Sequence, residues 1–179
     1  MKHSIALALS AALFVGATLF GGHDAVAATK PVTDFGDHPF SSHDVLSALA
    51  PHAITRGLTI GEDEAATRKI SMQLHFGRNS AALTAEAKHR LDIVAAALKE
   101  AELADAKLIV SGHTDITGRY ERNLELSRAR AEAVKAYLVT VHEIAPERLR
   151  AVGRGSNELL DEEHPTSPAN RRVQLAVAA

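Results

Sequence analysis

Between Lys69 and Ala179 the spacing of apolar residues changes in an ordered way. Ile70, Met72, Leu74 and Phe76 alternate with Ser71, Gln73 and His75, the pattern of a strand with one buried face. Thr84 is suited to cap a helix, and Glu86 puts an anion in its first turn, where the helix dipole favours one. Ala87, Leu91, Val94 and Leu98 then form a helical stripe to about Ala104. Lys107–Ser111 reads as a second, buried strand, Gly112–Gly118 as a turn, and Tyr120 to about His142 as a long alanine-rich helix. After Pro146, Leu149–Val152 predicts a third strand. Gly153–Ala169 predicts a loop with two prolines, and Val173, Leu175 and Val177 a last strand. Helices between strands imply crossover units, an α/β fold with a mixed sheet covered by helices on one face.

The chain before Lys69 has a different texture. Thr29–His43 is rich in Pro, Gly, Asp, Ser and His and reads as a linker or loosely ordered arm. Val45, Leu46 and Leu49 predict a helical turn or two ending before Pro51, and Arg56–Ile60 alternates like a short strand. Residues 28–68 are too few for a core of their own. At the start, Lys2 and His3 precede an apolar run, Ile5–Phe20, and then Ala25-Val26-Ala27. This is the order of a secretory signal peptide, expected to be cleaved after Ala27, and the run is short for a membrane span of about 20 residues. The expectation is residues 1–27 signal peptide, 28–68 extension and 69–179 one domain, in a periplasmic protein associated with the wall or outer membrane.

Charge and composition narrow the chemistry. The formal net charge of −2 gives no basic stripe for nucleic acid, which is not an expected partner. With no cysteine in the chain, a disulfide framework, a thiolate metal site, a cysteine nucleophile and a lipid-modified N-terminal cysteine are all excluded. Without tryptophan, the core must be built from Leu, Ile, Val and Ala. Ten histidines invite a metal reading, best at His113-x-Asp115 with His75 near, yet no His-x-x-x-His spacing occurs and no metal or cofactor is expected. Ser111 beside His113 is proximity in sequence and not a nucleophile–base pair, so no enzyme is expected.

The long helix holds an arginine in its apolar stripe, Leu126, Arg130, Val134 and Leu138 at spacings of four. A guanidinium there needs either a structural acid or a carboxylate brought by a ligand. Asp115, in the loop between strand and helix, is the nearest candidate anion. An Asp and an Arg a few ångströms apart would hold a zwitterion, with ammonium on one side and carboxylate on the other.

These residues sit in a wider pattern. Gly112-His113-Thr114-Asp115-x-x-Gly118, Asn123, Leu126-Ser127-x-x-Arg130-Ala131-x-x-Val134-x-x-Tyr137-Leu138, Pro146-x-x-Leu149-x-x-x-Gly153-x-Gly155 and Asn170-Arg171-Arg172-Val173 resemble, in this order, the OmpA-like (OmpA/MotB) peptidoglycan-binding domain. The likeness begins at Phe76-x-x-Asn79-Ser80-Ala81-x-Leu83-x-x-Glu86-Ala87 and covers about residues 69–178. It implies a βαβαβ-plus-strand fold that binds the diaminopimelate of the peptidoglycan stem peptide without covalent chemistry. It also implies that Asp115, Arg130, Asn123 and Arg171 occupy the family's ligand-binding positions, with Thr117 and Asn79 beside them. Two departures stand out. Gly77-Arg78 replaces an acid-containing pair common in relatives, and Leu159 stands where a proline is frequent. No run of alternating strands resembling the family's barrel precedes residue 69. A second expectation is a periplasmic scaffold or regulator whose residues 28–68 engage an envelope protein, with wall binding weak or lost.

Overall fold

The computed structural model describes residues 32–51, 68–77 and 79–178. The expected signal peptide, the strand expected at Arg56–Ile60, and Arg78 lie outside them. Five strands, β1 (Val32–Asp34), β2 (Lys69–Met72), β3 (Leu108–His113), β4 (Leu149–Gly155) and β5 (Val173–Val177), form one mixed sheet in the order β1-β2-β5-β3-β4. The outer pairs, β1 with β2 and β3 with β4, are parallel, and β5 runs antiparallel between β2 and β3. Three helices, α1 (Ser42–Leu49), α2 (Ala85–Leu98) and α3 (Tyr120–Thr140), complete the fold.

The expected periodicities explain the layers. Ile70 and Met72, Leu108 and Val110, and Val173 and Leu175 point to one face of the sheet. There they join Val45 and Leu49 of α1, Leu91, Val94 and Leu98 of α2, and Val134 and Leu138 of α3 in a single apolar core. Each of these side chains is almost fully buried, worth about 1.5–3 kcal/mol relative to exposure. The residues between them point the other way. Ser71, Gln174 and Ser111 lie side by side across β2, β5 and β3, and this polar row is buried too.

The fold departs from the sequence pattern at β1, at the end of β2 and in β4, each for a physical reason, while the helix expected near Val45 forms. Residues 29–43 read as a linker, yet Val32–Asp34 add an edge strand to β2. Three residues at a parallel edge are too few to show a period. The helical turns expected near Val45 form α1, started by a capping box in which Ser41 and Asp44 bond each other's backbone amides. The strand expected to reach Phe76 stops at Met72, because β5 begins at Val173 opposite it and the next amide, Gln73, donates to Gly36 instead (2.8 Å). Beyond it, Phe76 pairs only with Leu83 in an isolated bridge. Conversely, Gly153–Gly155 belongs to β4 and not to the following loop. A Cβ on Gly153 would lie 2.7 Å from the Arg128 amide and 2.8 Å from the Leu124 carbonyl, so glycine lets β4 run close beneath α3.

Candidate functional site

The loop that leaves β3 folds back on the start of α3. The Asp115 carboxylate accepts from the Thr117 amide (2.9 Å) and from its hydroxyl, an Asx-type turn. From the first turn of α3, the buried Asn123 amide donates to the carbonyls of Asp115 (3.3 Å) and Thr117 (2.9 Å). Thus Asn123, expected to touch a ligand, shapes the loop, and Thr117 orients Asp115.

The other carboxylate oxygen of Asp115 accepts from Nη1 of Arg171 at 2.8 Å. The side chains are 7% and 47% exposed respectively, so Arg171 covers a nearly buried anion. Burial would push the Asp115 carboxyl up, but Thr117 and Arg171 outweigh it and hold the group below the usual carboxylate range. The direct cation partner of Asp115 is therefore Arg171 and not Arg130.

Arg130 sits in α3 one turn past Ser127. Its Nε donates to the Ser80 carbonyl (3.2 Å), and its guanidinium lies 4.8 Å from the centre of the Phe76 ring. No carboxylate of the described residues comes within 4.0 Å of it, so it makes no structural ion pair among them. Burial and the neighbouring Arg171 lower its pKa, opposed by Asp115, which lies near enough to couple to it. Arg130 and Arg171 share the wall of a cleft of about 160 Å³ with Gln73, His75, Phe76 and Pro168. The cleft thus presents two guanidinium groups, with the carboxylate set behind one of them. A wider cleft of about 400 Å³, at the far end of β5 beside Arg68, Lys107 and Val177, contains none of the residues expected to bind ligand.

Asn79 lies outside the 160 Å³ cleft. It is exposed, with φ 53°, in the turn that carries Phe76 to Leu83. His113 and Asp115 do not make a metal pair, because Asp115 is taken by Arg171 and Thr117, and His113 is 1% exposed beneath the loops. With the Gln174 amide turned to satisfy both neighbours, its nitrogen donates to Nε2 of His113 (3.2 Å). Its oxygen then accepts from Nε and Nη2 of Arg172 (3.0 Å each).

Spacing alone did not reveal the roles of Asn170 and Arg172, although both stand in the closing motif. Arg172 is buried beside His113, and desolvation lowers its pKa to about 10. Asn170 is fully buried and organises the loop before Arg171. Its oxygen accepts from the amides of Leu160 and Asp161 (2.8 and 2.9 Å), and its nitrogen donates to the carbonyls of Asp161, His164 and Pro165 (3.1–3.2 Å). Replacing Asn170 with Ala leaves these backbone groups without a partner. The variant should lose about 2–4 kcal/mol in urea unfolding and become more sensitive to proteolysis between Leu160 and Pro168. A loss below about 0.5 kcal/mol would show that the loop holds itself together.

Known proteins resemble this chain in sequence and in fold. The sequence profile of the OmpA family matches residues 75–172. The chain is 31% identical over 172 residues to a peptidoglycan-associated lipoprotein of Pseudomonas aeruginosa, covering 95% of this chain and 93% of that protein. It is 36% identical over 104 residues to the peptidoglycan-binding protein ArfA of Mycobacterium tuberculosis, covering 57% of this chain and 31% of that one. Among solved structures, the OmpA-like domain of FopA1 from Francisella tularensis superposes with a TM-score of 0.53 at 24% identity, covering 66% of this chain and 76% of that one, a likeness of fold. The mixed five-stranded sheet, the order of motifs and these matches agree, and the chain belongs to the OmpA family.

Proposed function

We propose that this protein holds peptidoglycan non-covalently in the cell envelope, through the cleft walled by Arg130 and Arg171. One observation carries the reading. Arg130 is half-buried and oriented by Ser80 and Phe76, and it reaches the cleft without a carboxylate of the described residues to pair with. A carboxylate from outside completes such a site, and a guanidinium binds it through two parallel hydrogen bonds. The relatives named for peptidoglycan support that identity for the guest.

The guest group is the D-centre of diaminopimelate in the stem peptide, which carries both an ammonium and a carboxylate. Arg130 takes the carboxylate. Arg171, whose long side chain is half-exposed and bonds the second oxygen of Asp115, has to turn outward on binding to leave that oxygen to the ammonium. Asn123, Thr117 and Asn170 keep the two loops in position. Two guanidiniums and a paired carboxylate provide charge complementarity and no activated nucleophile, which supports holding the wall and not cutting it. The start of the sequence reads as a signal peptide, which supports a periplasmic location.

Purified sacculi test the proposal by co-sedimentation. Arg130→Ala should cut binding at least about tenfold, the loss of one or two charged hydrogen bonds, with an unchanged circular dichroism spectrum. Arg130→Lys should recover part of it, since it keeps the charge without the fork. No soluble fragments should be released. Normal sedimentation of a folded Arg130→Ala protein would overturn the site.

A further inference from the structure

Spacing in the sequence shows no metal motif, but the fold gathers one from three separate elements. Among the described residues, one group of three metal-capable side chains has its ligand atoms within 4.8 Å of one another: Asp37, His75 and Glu86. Asp37 follows β1, His75 follows β2, and Glu86 lies in the first turn of α2. We propose that these three side chains bind a divalent transition-metal ion of the zinc type, fastening the segment around β1 to the rest of the domain.

The backbone fixes all three positions. The carbonyl of His75 accepts from both the amide (3.3 Å) and the hydroxyl (3.0 Å) of Thr84, which caps the helix bearing Glu86. The Gly36 carbonyl, next to Asp37, accepts from the Gln73 amide (2.8 Å) and from Nη1 of the buried Arg90 (3.0 Å). Arg90 also donates to the Asp37 carbonyl, and its Nη2 lies 3.3 Å from Oδ1 of Asp37. An imidazole and two carboxylates are the donors that zinc accepts, at about 2.0–2.2 Å, so neighbouring ligand atoms of a tetrahedral site stand about 3.4 Å apart. His75 Nδ1 and Glu86 Oε2 are already 3.1 Å apart, while Asp37 Oδ1 faces the other ring nitrogen, Nε2, at 4.0 Å; taking one atom from each residue, the three lie within 4.8 Å of one another. An ion takes only one nitrogen of the imidazole, so one carboxylate must swing round to it, and both Asp37 and Glu86 are more than half exposed (58% and 57%). With the imidazole neutral, two carboxylates and the Arg90 guanidinium leave one net negative charge for the ion. Arg90 then acts as an outer partner that aims Asp37. Three protein ligands leave one position for water.

Zinc chloride titrated into the full chain by calorimetry tests this. One ion should bind per molecule, and the melting temperature should rise with zinc concentration because only the folded state assembles the site. Asp37→Asn, His75→Gln and Glu86→Gln should each weaken that binding at least about tenfold. All three side chains are exposed, so the variants should keep the wild-type spectrum. His89→Gln, a change to an exposed histidine outside the group, should bind as wild type does. Absence of binding at millimolar zinc would reduce the group to a set of surface ion pairs and overturn the proposal. Equal binding by the three variants would move the ion to other histidines and overturn it as well.

Discussion

Acidification from pH 7 to pH 4 should destabilise this domain by several kcal/mol, with His113 the largest single contributor. The imidazole is 1% exposed. Burial first, and then the Arg172 guanidinium beside it, push its pKa down from 6.5 to about 3, with a backbone hydrogen bond to Glu158 pulling the other way. The unfolded chain takes up the proton near the ordinary value, while the folded one refuses it until about 3. Stability is therefore complete above about pH 6.5 and falls as the pH drops toward 3, by about 1.4 kcal/mol per pH unit and at most about 5 kcal/mol. Protonation would also set an N–H of His113 against the donating amide of Gln174, breaking a bond that ties β3 to β5. Urea unfolding at pH 7, 6, 5 and 4.5 measures the slope, and His113→Gln isolates it from the other histidines and the acids. The variant should lose about one proton from the linkage across this range. An unchanged slope would mean that His113 titrates normally. Asp115 behaves differently. Its lowered pKa preserves its pairing with Arg171 until the pH falls below the ordinary aspartate value of about 3.9, so its loss comes later in the titration.

Gly112→Ala should be the most damaging single methyl in the domain, losing about 3 kcal/mol or more. A Cβ at this position would stand 2.2 Å from the carbonyl oxygen of Ser127 and 3.0 Å from its carbon. The obstacle is the backbone of α3 and not a side chain that can swing away. Ser127 is itself locked, its hydroxyl donating to the Leu124 carbonyl (2.8 Å) and accepting from the Gly155 amide (2.9 Å). To admit the methyl, α3 must lift from β3, carrying Asn123 and Arg130 with it, so stability and wall binding should fall together. Gly77→Ala is the control, since its Cβ would meet only the Ser80 side chain, at 3.3 Å and beyond. Chemical denaturation of both variants decides the matter. A Gly112→Ala protein within about 0.5 kcal/mol of wild type would mean that helix and strand are not in this close contact.

Much of the architecture is legible in the sequence because long stripes bury large side chains. The spacing of Leu91, Val94 and Leu98 alone marks the inner face of α2, as that of Val134 and Leu138 does for α3 and that of Val173 and Leu175 for β5. What escaped has no period to show. The strand β1 is three residues long, and β4 continues through glycines that carry no hydrophobic signal. The site was legible as a set of residues but not as a set of contacts. Asp115 and Arg171 are 56 positions apart, and nothing in their spacing says that they pair. Asn123 reads as a ligand contact in the sequence, and the fold adds that its amide clips the Asp115 loop to α3, a contact that spacing does not reveal. Arg130 was legible as a cation in an apolar stripe, and that anomaly marks the cleft. The gathering of Asp37, His75 and Glu86 could not be read from one dimension, since it depends on a strand hidden in a segment that looked like a linker.

The central claim is that the Arg130 cation reads a carboxylate at the end of the peptidoglycan stem. Calorimetric titration with two soluble stem tripeptides, one ending in diaminopimelate and one in lysine, tests it most directly, because lysine lacks the distal carboxylate. The diaminopimelate peptide should bind at least about tenfold more tightly, equivalent to about 1.4 kcal/mol, and Arg130→Ala should erase the difference. Equal affinities for the two peptides, or a preference that survives in the Arg130→Ala protein, would contradict the account.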